Sequence, residues 1–185
     1  MELERTPIMS AGEYFEIEED DPDVHYEYLD GYVYLMLDTT ANHATISGNI
    51  YAILKGLLRG SPCRVYNSDM KVRVSAQCCF LPDVTVTCDP RDRGNAEFIQ
   101  SPHLVVEVLS PSTEAHDRGR KLQCYFACPS IEQCLLVDTR AMRIETYRKE
   151  EKKWLYDAFE ADEEIELATL GIRFRVADAY EDVIF

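Results

Sequence analysis

Residues 103–109, HLVVEVL, form an apolar run interrupted by one acid, Glu107, and a helix signal leads from them to a second apolar run, CLLVD, at 134–138. A run this apolar predicts a strand buried on both faces. A helix crossing from it to another buried strand makes the two strands parallel neighbours through a right-handed connection. This excludes a barrel and predicts an α/β sheet. The acid inside the first run carries a chemical demand as well, because an unpaired carboxylate among apolar neighbours costs several kcal/mol. Glu107 must therefore have a partner.

The flanking segments supply the rest of the order. Ser10 followed by Glu13 is a capping box, predicting a short helix that opens near residue 11 and ends in the acidic stretch EIEEDDPD. YEYL and YVYL flank Asp30-Gly31, a dipeptide suited to the positive φ angles of a type I′ turn, so they read as a hairpin. In ANHATISGNIYAILKGLLRG, Ile46, Ile50, Ile53, Leu54, Leu57 and Leu58 recur at helical spacing, and Gly60 is the stop signal. Strands are predicted at VYNSDMKVRV and DVTVTC. The helix after SPST, capped by Ser112 or Thr113, runs to about Ala127. RIETYR, KKWLYDAF and IELATLGIRF read as a C-terminal antiparallel meander. The core order is helix, three strands, helix, strand.

At 185 residues and 46% hydrophobic composition, the chain predicts one packed domain over 1–185, with its core at about 26–138. No apolar run approaches the roughly 18 residues of a membrane span, and the N-terminus lacks the basic-then-apolar order of a signal peptide. The expected location is cytoplasmic, with no membrane partner. Seven cysteines without a CxxC pair read as reduced core thiols rather than a zinc site. The net charge of −15 argues at first against a nucleic-acid partner. Its distribution changes that reading, because residues 41–153 hold 16 Lys/Arg against 13 Asp/Glu, whereas the flanks hold 3 against 21. Acidic ends either confer solubility or mask a basic cleft.

Asp83 opens DVTVTC just after Pro82, and two strands side by side would bring Asp83 and Glu107 within about 4 Å of a common point. Like charges there repel by roughly 4 kcal/mol at an effective dielectric near 20. Mg²⁺ would turn that repulsion into ligation; the alternative compensations are a shared proton or a salt bridge to Lys121 or an arginine. Lys121 lies four residues after Asp117, spacing that equally suits a helix-face ion pair. Glu27 could be a surface strand residue, and Lys71 a solvated lysine or a second cation in the cleft. His43 and His116 stand near helix starts and read as capping or surface residues; Asp69 and Asp89 read as turn residues.

YEYLDGYVYLM, NHATISGNI, SDMKVRV, FLPDVTVTCDP, HLVVEVLSPST, DRGRKLQCYFACPSIEQCLLVD and, more loosely, RIETYR together resemble the successive signatures of a large bacterial family of restriction-endonuclease-like proteins, the Uma type. That family is assigned to the PD-(D/E)xK nuclease superfamily. The resemblance covers about residues 10–160. It implies a restriction-endonuclease-like α/β (α+β) core, with a mixed central sheet flanked by helices, the N-terminal hairpin and the C-terminal meander. It also implies a metal-dependent endonuclease hydrolysing phosphodiester bonds in DNA.

Residue by residue, the resemblance places Pro82-Asp83 at the PD element and Glu107 at the second acid, both as ligands of Mg²⁺ or Mn²⁺. Glu27 matches the acid of the first hairpin, and Lys121 matches the lysine of the DRG-x-K block. The superfamily pattern puts its lysine two residues after the second acid, where this chain has Leu109. A lysine on the next helix can serve instead, because the chemistry needs an ammonium near the developing charge, not a set sequence position. Arg73, Arg118 and Arg120 are the expected nucleic-acid contacts beside Lys121, and a homodimer is the expected assembly. The competing readings are a non-catalytic nucleic-acid- or metal-binding relic of the fold, and a self-associating interaction module.

Overall fold

The computed structural model describes residues 9–20, 24–36 and 40–185. Helix α1 (Ala11–Asp20) opens on the expected capping box, with the Ser10 amide donating to Glu13 Oε2 at 2.6 Å and the Glu13 amide to Ser10 Oγ at 3.3 Å. The end of the acidic stretch that follows lies partly outside the described residues. β1 (Tyr26–Leu29) and β2 (Tyr32–Leu35) pair antiparallel around Asp30 (φ 51°) and Gly31 (φ 89°), the left-handed pair that a type I′ turn requires. α2 (Ala41–Leu57) starts at Thr40, whose side chain accepts from the His43 amide, and buries Ile46, Ile50 and Leu54 at the predicted helical spacing.

VYNSDMKVRV is two strands, not one. The Met70 amide bonds to the Asn67 carbonyl and Asn67 Nδ2 to Asp69, so the chain turns between β3 (Arg64–Asn67) and β4 (Val72–Ser75). The two halves enter different sheets. β5 (Cys78–Phe80), β4 and the hairpin form a four-stranded sheet in the order β2-β1-β5-β4. β6 (Val84–Thr87) and β7 (Pro102–Leu109) follow as antiparallel neighbours.

The segment after β7 is kinked where a single helix was expected. α3 (Glu114–His116), a π-helical turn (Asp117–Lys121) with Gly119 off helical geometry, and α4 (Leu122–Ala127) follow in series. Thr113 is the N-cap, one of the two expected residues, but its side chain makes no capping hydrogen bond; Ser110 Oγ instead accepts from the Thr113 amide. β8 (Gln133–Asp138) then pairs parallel with β7, as the apolar runs require. β9 (Arg143–Glu150) and β10 (Lys153–Glu160) complete a six-stranded mixed sheet, β10-β9-β8-β7-β6-β3. The meander stops there: β11 (Glu164–Leu167) and β12 (Ile172–Arg175) form their own hairpin, followed by α5 (Val176–Ala179).

Two apolar layers sandwich this sheet. Leu104, Val106 and Val108 of β7 pack with Ile46, Ile50 and Leu54 of α2. The alternate residues Val105 and Leu109 pack with Leu122 and Tyr125 of α4 and with Phe80 of β5. The period-2 alternation of a strand thus puts Glu107 on the α4 side. Among the described residues, no helix is long and apolar enough to cross a membrane.

The reading of all seven cysteines as reduced thiols needs correction. Cys63 and Cys88 are joined in a disulfide, whereas Cys78, Cys79, Cys124, Cys128 and Cys134 are not disulfide-bonded. Arg64 faces Thr87 in the β3–β6 ladder, so one further step brings Cys63 opposite Cys88, 25 residues away in sequence. That pairing depends on strand register, which spacing alone does not reveal.

Candidate active site

Three acids converge on one buried ammonium, and a fourth, Asp83, lines the same cavity. Lys121 Nζ lies 2.8 Å from Glu27 Oε1, 2.9 Å from Glu107 Oε1 and 3.3 Å from Asp117 Oδ1. The exposure of Glu27 is 0%, of Lys121 1%, of Glu107 4% and of Asp117 4%, so these charges meet with little water between them. Each element delivers its residue by a local rule. β1 turns Glu27 to the face opposite Tyr28, which packs on Tyr14, β7 turns Glu107 to the α4 side, and the π-helical turn keeps Asp117 and Lys121 on one face at i,i+4. Asp83 just precedes β6 and, one step beyond the Val84–Val106 pair, stands opposite Glu107. Its Oδ2 accepts from the Val108 amide at 2.8 Å.

Neighbours divide the acids electrostatically. Burial would raise Glu27, but the charge of Lys121 and the hydrogen bond and charge of His116 outweigh it, bringing the carboxyl down to about 2. The Leu81 amide adds a donor at 2.9 Å and His116 Nε2 sits 3.2 Å from Oε2. Glu107 goes the other way. Burial, then Asp117, Glu27 and Asp83, hold it well above the ordinary carboxyl range against the pull of Lys121. The Tyr125 hydroxyl donates to Glu107 Oε1 at 2.5 Å. Burial pushes Asp83 up to about 6 despite His43, the Val108 amide and Lys121.

These side chains line a cavity of about 710 Å³, together with His43, His116, Ser110, Ser112 and Thr113. Its wall carries four carboxylates and one ammonium, so it is acidic, not the basic cleft that masking flanks would cover. Among the described residues, no three His, Cys, Asp or Glu side chains converge tightly enough to enclose a metal ion. A hexacoordinate ion such as Mg²⁺ does not need three, since it binds through one or two carboxylates and keeps its waters. Asp83 and Glu107 fit that requirement. They face one another across adjacent strands, and burial is the main cause that raises both carboxyls.

The expected residues and the observed site overlap in part. Glu27, Asp83, Glu107 and Lys121 share the cavity wall, and Tyr125 supports Glu107 from behind. Arg73, Arg118 and Arg120 do not line it. Arg118 is held by Glu145 at 2.7 and 3.0 Å and by Glu114 at 2.9 Å. Arg120 pairs with Asp30 at 2.9 Å, and Arg73 lies over the rings of Phe15 and Phe98. Three residues read as bland join the site: Asp117, His116 and His43, the last with Nε2 at 3.5 Å from Asp83 Oδ1 and a buried Nδ1 that has no hydrogen-bond partner among the described residues. The only sequence signal for Asp117 was its i,i+4 spacing to Lys121. The histidines had none, because their acid partners lie 89 and 40 residues away.

Residues 11–177 match the model of the family Uma2, described as "Putative restriction endonuclease". The chain is 41% identical over 181 residues to the uncharacterized protein slr1290 of Synechocystis sp., covering 97% of this chain and 95% of that one. A second uncharacterized protein of Synechocystis sp., sll1609, is 28% identical over 159 residues, covering 84% and 89%. Among solved structures, one described as a putative nuclease belonging to DUF820 from Anabaena variabilis superposes with a TM-score of 0.79. It shares 16% identity, with 95% of this chain and 99% of that chain covered, so the likeness is one of fold.

Proposed function

The chain belongs to the Uma2 family, and from that premise we propose that it is an endonuclease that hydrolyses phosphodiester bonds in DNA with a divalent cation held by Asp83 and Glu107. The observation that carries the reading is the convergence of Glu27, Asp83, Glu107 and Lys121, drawn from four separate segments, on one cavity wall. Mg²⁺ or Mn²⁺ bound there would supply a Lewis acid for a phosphoryl oxygen and lower the pKa of a water.

The chain's own residues do the rest. Asp83 is oriented by the Val108 amide, and Glu107 by Tyr125 and Lys121, so both carboxylates are held in place before substrate arrives. Lys121, with Glu27 and Asp117 fixing its position, offers an ammonium to the negative charge that develops on the phosphoryl group. It occupies the role left vacant by Leu109, which is buried in the sheet. A relic of the fold would have no reason to aim its displaced lysine at the acids, whereas Lys121 contacts three of them directly. Cleavage of both strands of a duplex would take two such cavities, which a pair of chains would supply.

The test is calorimetric titration of Mn²⁺ and Mg²⁺ into wild type and Asp83→Ala/Glu107→Ala, followed by supercoiled plasmid added to the same samples. Saturable binding lost in the variant, with metal-dependent nicking or linearisation by wild type alone, is expected. Metal binding equal in both proteins would overturn the assignment.

A further inference from the structure

α4 carries a second chemical feature that the cavity does not use. Cys124 on α4 and Cys78 on β5 face each other with their sulfurs 2.6 Å apart, although 46 residues separate them in sequence. Both line a small open pocket of about 230 Å³, with Asp30, Gln77 and Arg120 at its rim. A disulfide needs about 2.05 Å between sulfurs, so closure asks for a shift of roughly half an ångström. The hydrogen bond from Cys124 brings the Cys78 thiol down to about 7 against the effect of burial, with Ser75 and Arg120 assisting. A thiolate, the reactive form, is therefore populated near neutral pH. Cys134, by contrast, is buried in the sheet, and burial pushes its thiol well up.

We propose that Cys78 and Cys124 are a dithiol modification site, at which a peroxide converts the pair to a disulfide that crosslinks β5 to α4. The Cys78 thiolate attacks one oxygen of hydrogen peroxide, the O–O bond breaks, and a sulfenic acid forms with release of hydroxide. The Cys124 sulfur then attacks the sulfenic sulfur; the S–S bond forms, the S–O bond breaks, and water leaves. The two thiols lose two electrons and the peroxide gains them. A dithiol reductant reverses the step through a mixed disulfide. The crosslink joins the elements behind the buried ion pair. Lys121 directly precedes α4, and Cys78 is in register with Leu29 on the strand that carries Glu27. Oxidation would clamp the Lys121–Glu27 contact from outside the cavity.

The reduced protein is treated with hydrogen peroxide, blocked with N-ethylmaleimide and mapped without reduction by tandem mass spectrometry. A Cys78–Cys124 link that dithiothreitol removes is expected, with both thiols lost to alkylation. In Cys124→Ser, folding being checked by circular dichroism, Cys78 should instead accumulate a sulfenic acid trapped by dimedone. Alkylation of both thiols at wild-type levels after peroxide would overturn the proposal. So would a link from Cys124 that persists in Cys78→Ser. Neither readout depends on nuclease activity, so failure here leaves the reading of the cavity standing.

Discussion

Lys121 is one ammonium balancing three carboxylates at 1% exposure, and its contribution is visible in what its absence would leave. Lys121→Met, similar in length, strands Glu27, Glu107 and Asp117 without a cation. Breaking a buried pair in this way costs about 3 to 5 kcal/mol, which urea denaturation at pH 7 would register. A loss within about 0.5 kcal/mol would mean that the acids are neutral in the folded state. Asp83 tests the cavity from the other side. Its carboxyl stands at about 6 in the folded chain against 3.8 ordinarily. Between those values the folded state keeps a proton that the unfolded chain has released, so Asp83 lowers stability progressively as pH rises from about 4 to 6. Asp83→Asn removes that dependence. In metal-free buffer the variant should gain on wild type by on the order of 2 kcal/mol between pH 4 and pH 7, at roughly 1.4 kcal/mol per pKa unit. A pH-independent difference between the two proteins would contradict the burial of this charge.

The β1–β2 hairpin shows how one turn supports a charge some distance away. Asp30 and Gly31 both sit at positive φ, and Arg120 from the π-helical turn holds Asp30, so the hairpin and the lysine-bearing segment are tied at both ends. Gly31→Ala places a Cβ in the left-handed region, at about 1–2 kcal/mol. Its thermal midpoint should fall without loss of β-structure in circular dichroism; an unchanged midpoint would mean that the turn relaxes freely. The hairpin and α2 were legible from short-range signals, namely a two-residue turn between aromatic strands and apolar residues at helical spacing. The break between β3 and β4 was not. Asn67 to Met70 carries polar residues that an exposed strand would also tolerate, and only the different partners of the two halves, β6 and β5, separate them.

The net charge of −15 now sits beside a cavity that is itself acidic, while Arg118 and Arg120 are spent on Glu145, Glu114 and Asp30. A polyanion should therefore bind weakly without divalent cations. In fluorescence anisotropy with labelled duplex DNA, EDTA should give weak binding, with a salt slope below about 2 in magnitude, since few phosphates meet free Lys or Arg. Mn²⁺ or Mg²⁺ should tighten it in wild type but not in Asp83→Ala/Glu107→Ala. Tight, steeply salt-dependent binding in EDTA would point to a basic surface away from the cavity.

Local patterns in the sequence determined the parallel β7–β8 pair, the type I′ hairpin, the amphipathic α2 and the need of Glu107 for a partner, but not the kink that breaks the helix between β7 and β8. Each follows from side-chain alternation, caps or burial within a dozen or so residues. The motif series also singled out four of the residues that line the cavity, Glu27, Asp83, Glu107 and Lys121. Tertiary structure alone decided which partner Glu107 took, which arginines were neutralised, where Cys63 met Cys88, and how His43, His116 and Asp117 joined the acids. Those outcomes depend on register and on contacts between elements far apart in the chain. Electrostatic pairing at 3 Å responds to displacements far smaller than any spacing rule resolves.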